Sequence, residues 1–235
     1  MITQLNGFLL TRQWRDTPTG IELSFWLSTD QGPLRLVING EQAVCFIRHD
    51  NPMRLPPRIS RKPLPLKTLA GEAVDGLYFQ QQRELNALRD HLSHDKTQLN
   101  ESEVKPTERY LMERFITAGI YFIGEDKTLL HQKYLSVTNA KCKALTVDIA
   151  LSMISVDIEC SIKGELYSVG FYSDKHQEVI MIGDAQHQPS STNNTEYITW
   201  VADEKQLLNA FVAWFETHDI DIIIGWNVIN FDMAL

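Results

Sequence analysis

Short apolar runs separated by turn residues dominate the first third of the chain. Phe8–Trp14, Ile21–Ser28, Leu34–Ile38 and Ala43–Arg48 are aliphatic, β-branched and aromatic. Pro18-Thr19-Gly20, Asp30-Gln31-Gly32-Pro33 and Asn39-Gly40 punctuate them. This spacing predicts strands joined as antiparallel hairpins. Val74–Phe79 repeats the strand pattern, and then the period changes. Leu85, Leu88 and Leu92 stand three and four apart and predict a helix over Gln81–Ser93. After a polar connection at Asp95–Val104, a second helix is expected over Thr107–Thr117, with Tyr110, Leu111 and Phe115 on one side. A short strand at Ile120–Ile123 follows, and Leu129–Ala144 reads as a connector.

The last third has a different rhythm. Ala150, Leu151, Met153, Ile154 and Val156 lead into a strand end at Asp157-Ile158-Glu159, and Gly164–Tyr172 and Glu178–Ile182 predict two further strands of a meander. A polar loop, Gly183–Thr195, precedes a helix that Asp203 can cap, with Gln206 three residues on. Leu207, Leu208, Phe211, Val212 and Phe215 predict its buried stripe. Ile220–Ile224 then gives a strand ending at Gly225. A helix between two strands predicts a β-α-β crossover, placing Ile220–Ile224 parallel to and beside the first strand. The expected fold is thus α+β in the first part and α/β in the second.

This topology gives the acids meaning. Residues two apart on a strand share a face, so Asp157 and Glu159 project together while Ile158 turns into the core. Taken alone, D-x-E is a polar strand end. Asn227 and Asp232 follow the second strand end within eight residues of Gly225, where open α/β sheets place ligands. Three carboxylates from two strand ends suit hard divalent cations such as Mg²⁺ or Mn²⁺, in the arrangement of two-metal phosphodiester hydrolysis. Val147-Asp148-Ile149 echoes the motif but lacks the second acid. His91 and His94 stand three apart with no third ligand near them, which favours a solvated helix face.

Charge sharpens the division. The chain has 235 residues and net charge −8, yet residues 147–235 hold 3 basic against 14 acidic side chains, net −11, leaving residues 1–146 with 19 against 16, net +3. A boundary is expected there, giving domains 1–146 and 147–235. The acidic half would repel phosphate unless bound cations inverted its field. Five of nine prolines and six of the basic residues fall within residues 48–67. An extended segment of that kind could track a phosphate backbone through Arg54, Arg58, Arg61 and Lys62, or form a solvated surface loop. No apolar run approaches a membrane span, and no partner membrane is expected. Cys45, Cys142 and Cys160 lack metal spacing, which makes a reducing, cytoplasmic setting the default.

V-D-I-E at 156–159, followed by G-W-N-x3-F-D at 225–232, resembles the first two exonuclease motifs of the family B DNA polymerases. Lys105-Pro106-Thr107-Glu108-Arg109-Tyr110-Leu111-Met112-Glu113-Arg114-Phe115-Ile116 is similar to the segment preceding that domain in their bacterial polymerase II group, and Gly7–Pro18 with Ser24–Leu27 is similar to its opening. Cys160 stands where the family more often has Thr. The resemblance implies a β-rich N-terminal domain with an RNA-recognition-like part, then an incomplete ribonuclease-H-like 3′→5′ exonuclease domain. Asp157, Glu159 and Asp232 would be its catalytic and metal-binding carboxylates, with Asn227 and Phe231 shaping the pocket for a primer end. Partners would be DNA (primer-template and a single-stranded 3′ end) and the rest of a polymerase chain, with any sliding-clamp contact made by a C-terminal region. The family's third motif, Tyr-x3-Asp, does not occur after Asp232, so the resemblance implies a fragment that hydrolyses nothing appreciable by itself. Two rival readings stay open: a free-standing exonuclease of the same fold, and a non-catalytic DNA-binding module with a remnant exonuclease.

Overall fold

A computed structural model describes residues 2–92, 99–126, 134–184 and 197–234. They divide into two compact units, Met1–Ile149 and Ala150–Leu235.

In the first unit the predicted hairpins form, and they close on themselves. β1 (Ile2–Thr17), β2 (Gly20–Thr29) and β3 (Gly32–Glu41) are antiparallel neighbours. Both tight turns use the same device: the Thr17 and Thr29 hydroxyls donate to the carbonyls of Gly20 and Gly32, each at 2.7 Å. Those glycines take left-handed φ values of 131° and 97°, which side chains resist. β7 (Gly119–Asp126) pairs antiparallel with β1, and β8 (Leu135–Ala144) pairs antiparallel with β7 and parallel with β3. The result is a closed barrel in the order β1-β2-β3-β8-β7. Closure removes the exposed edges that an open sheet would carry.

β4 (Ala43–Arg48) leaves the barrel and joins β5 (Ser60–Lys67) and β6 (Ala73–Phe79) in a sheet ordered β4-β6-β5. α1 (Gln82–Leu92) and α2 (Pro106–Met112) complete the unit. One core runs through barrel and sheet, including Leu23, Phe25, Leu36, Ile47, Leu77, Phe79, Leu85 and Phe122, all fully buried.

Several expectations change here. Most of the supposed connector Leu129–Ala144 is β8, a strand disguised by the polar Thr138, Asn139, Lys141 and Lys143. The second helix stops at Met112; Phe115 adopts φ 54° and is 86% exposed, and Ile116 is buried instead. The proline-rich segment contains an edge strand, β5, where Pro63 and Pro65 lack only amides the sheet does not need. Ser93 and His94 lie outside the described residues.

The second unit is built on β9 (Met153–Cys160), β10 (Leu166–Tyr172), β11 (Gln177–Ile182), β12 (Ile198–Val201), α3 (Glu204–Thr217) and β13 (Ile222–Ile224). Strand order is β12-β11-β10-β9-β13, with β9, β10 and β11 antiparallel in series and β13 parallel to β9. This is the expected meander and parallel return strand. β12, parallel to β11, is an addition that the sequence reading missed, and residues 185–195 of the expected loop lie outside the described residues. The cap of α3 forms as expected: Asp203 Oδ1 accepts from Gln206 N at 2.8 Å, and Gln206 Oε1 accepts from Ala202 N. The helix is rotated from its expected face. Leu207 and Trp214 are buried, Phe211 and Phe215 pack beside them, and Leu208 and Val212 are exposed. Trp214 stacks on Phe171 at 4.2 Å between ring centroids.

The first unit buries one charged centre. Asp75, 3% exposed, accepts from Arg61 Nε at 2.6 Å and lies 2.7 Å from His49 Nδ1. Burial alone would raise its carboxyl, but hydrogen bonds from His49 and Arg61 and their charges outweigh this and hold it below the usual carboxylate range. A depressed folded value adds stability above the ordinary carboxylate range, lost as pH falls through the folded value. Asp75→Asn should therefore lower unfolding stability at neutral pH by about 3 kcal/mol, the scale for breaking a buried pair. Denaturant titration should show this gap narrowing below about pH 4.

Candidate functional site

Along β9, Ile154 and Val156 are buried, while Asp157 and Glu159 are exposed on the other face. The strand is anchored at its start by Ser152, whose amide donates to Asp221 Oδ2 at 2.8 Å and whose hydroxyl donates to the Asp219 carbonyl at 2.9 Å. This clasp locks β13 against β9 in register, pairing Ile224 with Ser155. Sequence reasoning overlooked Asp221; its signal is a second acid at the entrance of the return strand.

Just past that pairing sits Gly225. A Cβ there would lie 2.4 Å from the Val156 carbonyl oxygen, an impossible approach for any side chain. The chain crosses close over β9 and then coils. Asn227 takes φ 58° and its carbonyl accepts from the amides of Asn230 and Phe231 at 3.1 and 3.0 Å; Met233 N donates to Val228 O at 2.9 Å.

The coil carries Asp232 back to β9. It is 6% exposed, and its Oδ1 accepts from the Ile158 amide at 3.2 Å. That amide lies between Asp157 and Glu159, so all three predicted carboxylates belong to one strand end. Asp232 Oδ2 is buried and has no hydrogen-bond partner among the described residues. A buried carboxylate oxygen left this way is costly unless something positive or a donor satisfies it. The three carboxylates are not all gathered to within 4.8 Å of one another. Asn227 and Phe231 are exposed beside them on the coil, as are Trp226 (92%) and Ile229, which sequence reasoning did not single out. Asp148 is exposed and outside any strand.

The basic candidates of the first unit have separate fates. Arg61 spends its donors on Asp75 and on the carbonyls of Arg48, His49 and Asn51. Arg58 lies 3.5 Å from Glu84. Arg54 is exposed, and Lys62 is exposed with its ammonium 4.9 Å from the Tyr78 ring centroid. The cysteines are free, and burial pushes the Cys45 and Cys142 thiols up to about 12 and about 11. Buried thiols held protonated make poor nucleophiles.

The family model for the exonuclease domain of DNA polymerase family B matches residues 98–235, more than half of the chain. The chain belongs to DNA polymerase family B. A second family model, the N-terminal region of DNA polymerase II, matches residues 7–42. The match to the family B exonuclease model begins before α2, inside the first compact unit, and ends with the second. Among relatives, DNA polymerase II of Escherichia coli is 37% identical over 97% of this chain and 29% of its own length. A DNA polymerase of Archaeoglobus fulgidus is 27% identical over 71% of this chain and 20% of its own length. The chain thus spans less than a third of the curated relatives it matches. The structure of the family B DNA polymerase of Pyrobaculum calidifontis superposes with a TM-score of 0.70 at 12% identity, covering 98% of this chain and 31% of that one, and so shares its fold. No described helix is long and apolar enough to cross a membrane.

Gly225→Ala tests how this strand end is assembled. The added methyl must push the coil away from Val156, which should cost about 1–3 kcal/mol. It should also break the Asp232 contact, so amide exchange at Ile158 accelerates while the antiparallel β9–β10 amides stay protected.

Proposed function

We propose that this chain is the N-terminal part of a polymerase-II-type DNA polymerase and that its second unit supplies the core of a 3′→5′ proofreading exonuclease. The observation that carries this reading is the Asp232 carboxylate bound to the amide between Asp157 and Glu159, with one oxygen buried and unpartnered. Family membership, the matching N-terminal model and the identity to a DNA polymerase II support the polymerase assignment. The order β11-β10-β9-β13 beside α3 supports a ribonuclease-H-like sheet, and β4-β6-β5 with the two helices supports an RNA-recognition-like part of the first unit.

Asp157, Glu159 and Asp232 would hold Mg²⁺ or Mn²⁺, because hard divalent ions prefer such oxygen donors. Bound there, the ions would polarise the phosphodiester and activate water. The chain's own residues do the rest. The Ile158 amide holds Asp232 Oδ1, which leaves the buried Oδ2 as the oxygen that would turn to a cation. The exposed Glu159 carboxylate would orient an attacking water. Phe231 offers a ring for the terminal base to stack on, and Asn227 holds the coil that carries it. Arg54, Lys62 and Lys67 are the basic side chains of residues 48–67 left without an acidic partner among the described residues, and they would be open to phosphate contact.

Proofreading follows from unpairing. A mispaired primer end leaves its template at lower cost and reaches a separate site more often, as damaged bases do in base-flipping enzymes.

The test is Asp157→Asn with Glu159→Gln in the polymerase that contains this chain. Both changes keep size and remove charge from an exposed strand face, so folding should persist. Exonuclease rate should fall at least about a thousandfold, equivalent to about 4 kcal/mol of barrier, while nucleotide incorporation continues. Equal loss of both activities would mean misfolding or a shared site. Unchanged exonuclease would rule out these acids, and Asp148 would be tested next.

A further inference from the structure

Apart from the carboxylates on β9, the second unit gathers a different set of donors. His176 precedes β11, Glu178 lies two residues on along the same face, and His218 caps the C-terminus of α3. One donor atom from each lies within 4.8 Å of the others, and the three are half-buried; no other such trio occurs among the described residues. The imidazoles meet edge to face with centroids 4.6 Å apart, and His176 Nδ1 is 3.8 Å from Glu178 Oε1.

Two of the three ligands are held by an outer partner. His218 Nδ1 lies 2.8 Å from the Trp214 carbonyl, which can only accept, so Nδ1 carries the hydrogen and Nε2 keeps a free lone pair. The same ring stacks on Trp214 at 4.2 Å. Trp214 Nε1 donates to Glu178 Oε2 at 3.1 Å, leaving Oε1 turned toward His176. At His176 the backbone amide donates to Ser173 Oγ at 3.1 Å in the β10–β11 turn, and the ring packs edge to face on Trp214 at 5.5 Å between centroids. An imidazole and a carboxylate fixed from behind, as His218 and Glu178 are, are what metal sites use to orient their ligands.

Electrostatics favour a cation here as well. The last turn of α3 contains no basic residue to face the negative end of the helix dipole. The surrounding residues 147–235 carry net charge −11.

We propose that His176, Glu178 and His218 form a second metal site, taking a borderline transition cation of the Zn²⁺ class. Two nitrogens and one oxygen suit Zn²⁺, with water in the fourth position, and disfavour Mg²⁺, which prefers oxygen alone. The bound ion ties the C-terminus of α3 to the β10–β11 hairpin. It is distinct from the carboxylate end of β9.

The probe is Co²⁺, whose tetrahedral nitrogen-ligated complexes absorb visibly, added to the purified chain in excess Mg²⁺ so that all-oxygen sites are occupied. One equivalent should produce the absorption, and one equivalent of Zn²⁺ should displace it. His176→Gln and Glu178→Gln should each weaken Zn²⁺ at least about tenfold, since even changes to outer-shell partners cost that much. Glu178→Gln keeps an acceptor for Trp214 Nε1, so its fold, checked by circular dichroism, should survive. His91→Gln, on α1, should bind as the parent does. No Co²⁺ absorption from the parent chain, equal affinity in the two ligand variants, or loss of binding in His91→Gln would each overturn the proposal.

Discussion

A glycine pressed against a strand carbonyl decides how Asp232 reaches the strand end that carries Asp157 and Glu159. Gly225 passes so close to Val156 that no Cβ fits. Only that approach lets the coil after β13 bring Asp232 to the Ile158 amide. The paired strands, the Ser152–Asp221 clasp and the left-handed Asn227 all serve the same placement. Without it, Asp157 and Glu159 would be two solvated acids on an exposed face.

Much of this was visible in the sequence because it rests on local rules. The two-residue strand period put Asp157 and Glu159 on one face and Ile158 off it. Gly225 marked a strand end, and Asp203 with Gln206 marked a helix start. β4 could be read residue for residue because Asn39-Gly40 precedes it and Ala43–Ile47 is an unbroken apolar run closed by Arg48. The resemblance of 156–159 and 225–232 to family B polymerases then implied a shared role for the acids that spacing alone could not.

What stayed hidden depends on distant partners. β8 pairs with β3 across about a hundred residues, and its Lys141 and Lys143 look like connector residues until the barrel supplies their outside. The face of α3 was misjudged because Leu208 and Val212 continue the apolar period as well as Trp214 does; only Phe171 beneath the helix selects between them. Phe115 looked like a core residue, but the helix ends first. Arg61 looked like a phosphate ligand, but a buried Asp75 had claimed it.

The central claim is that Asp157, Glu159 and Asp232 form one cation-binding centre at the end of β9. Paramagnetic broadening by substoichiometric Mn²⁺ in an amide NMR spectrum of the chain tests it most directly. A shared centre predicts that signals of Asp157, Ile158, Glu159 and Asp232 broaden together, and that Asp232→Asn weakens the effect at all of them. Broadening that spares Ile158, or that survives Asp232→Asn undiminished, would contradict it.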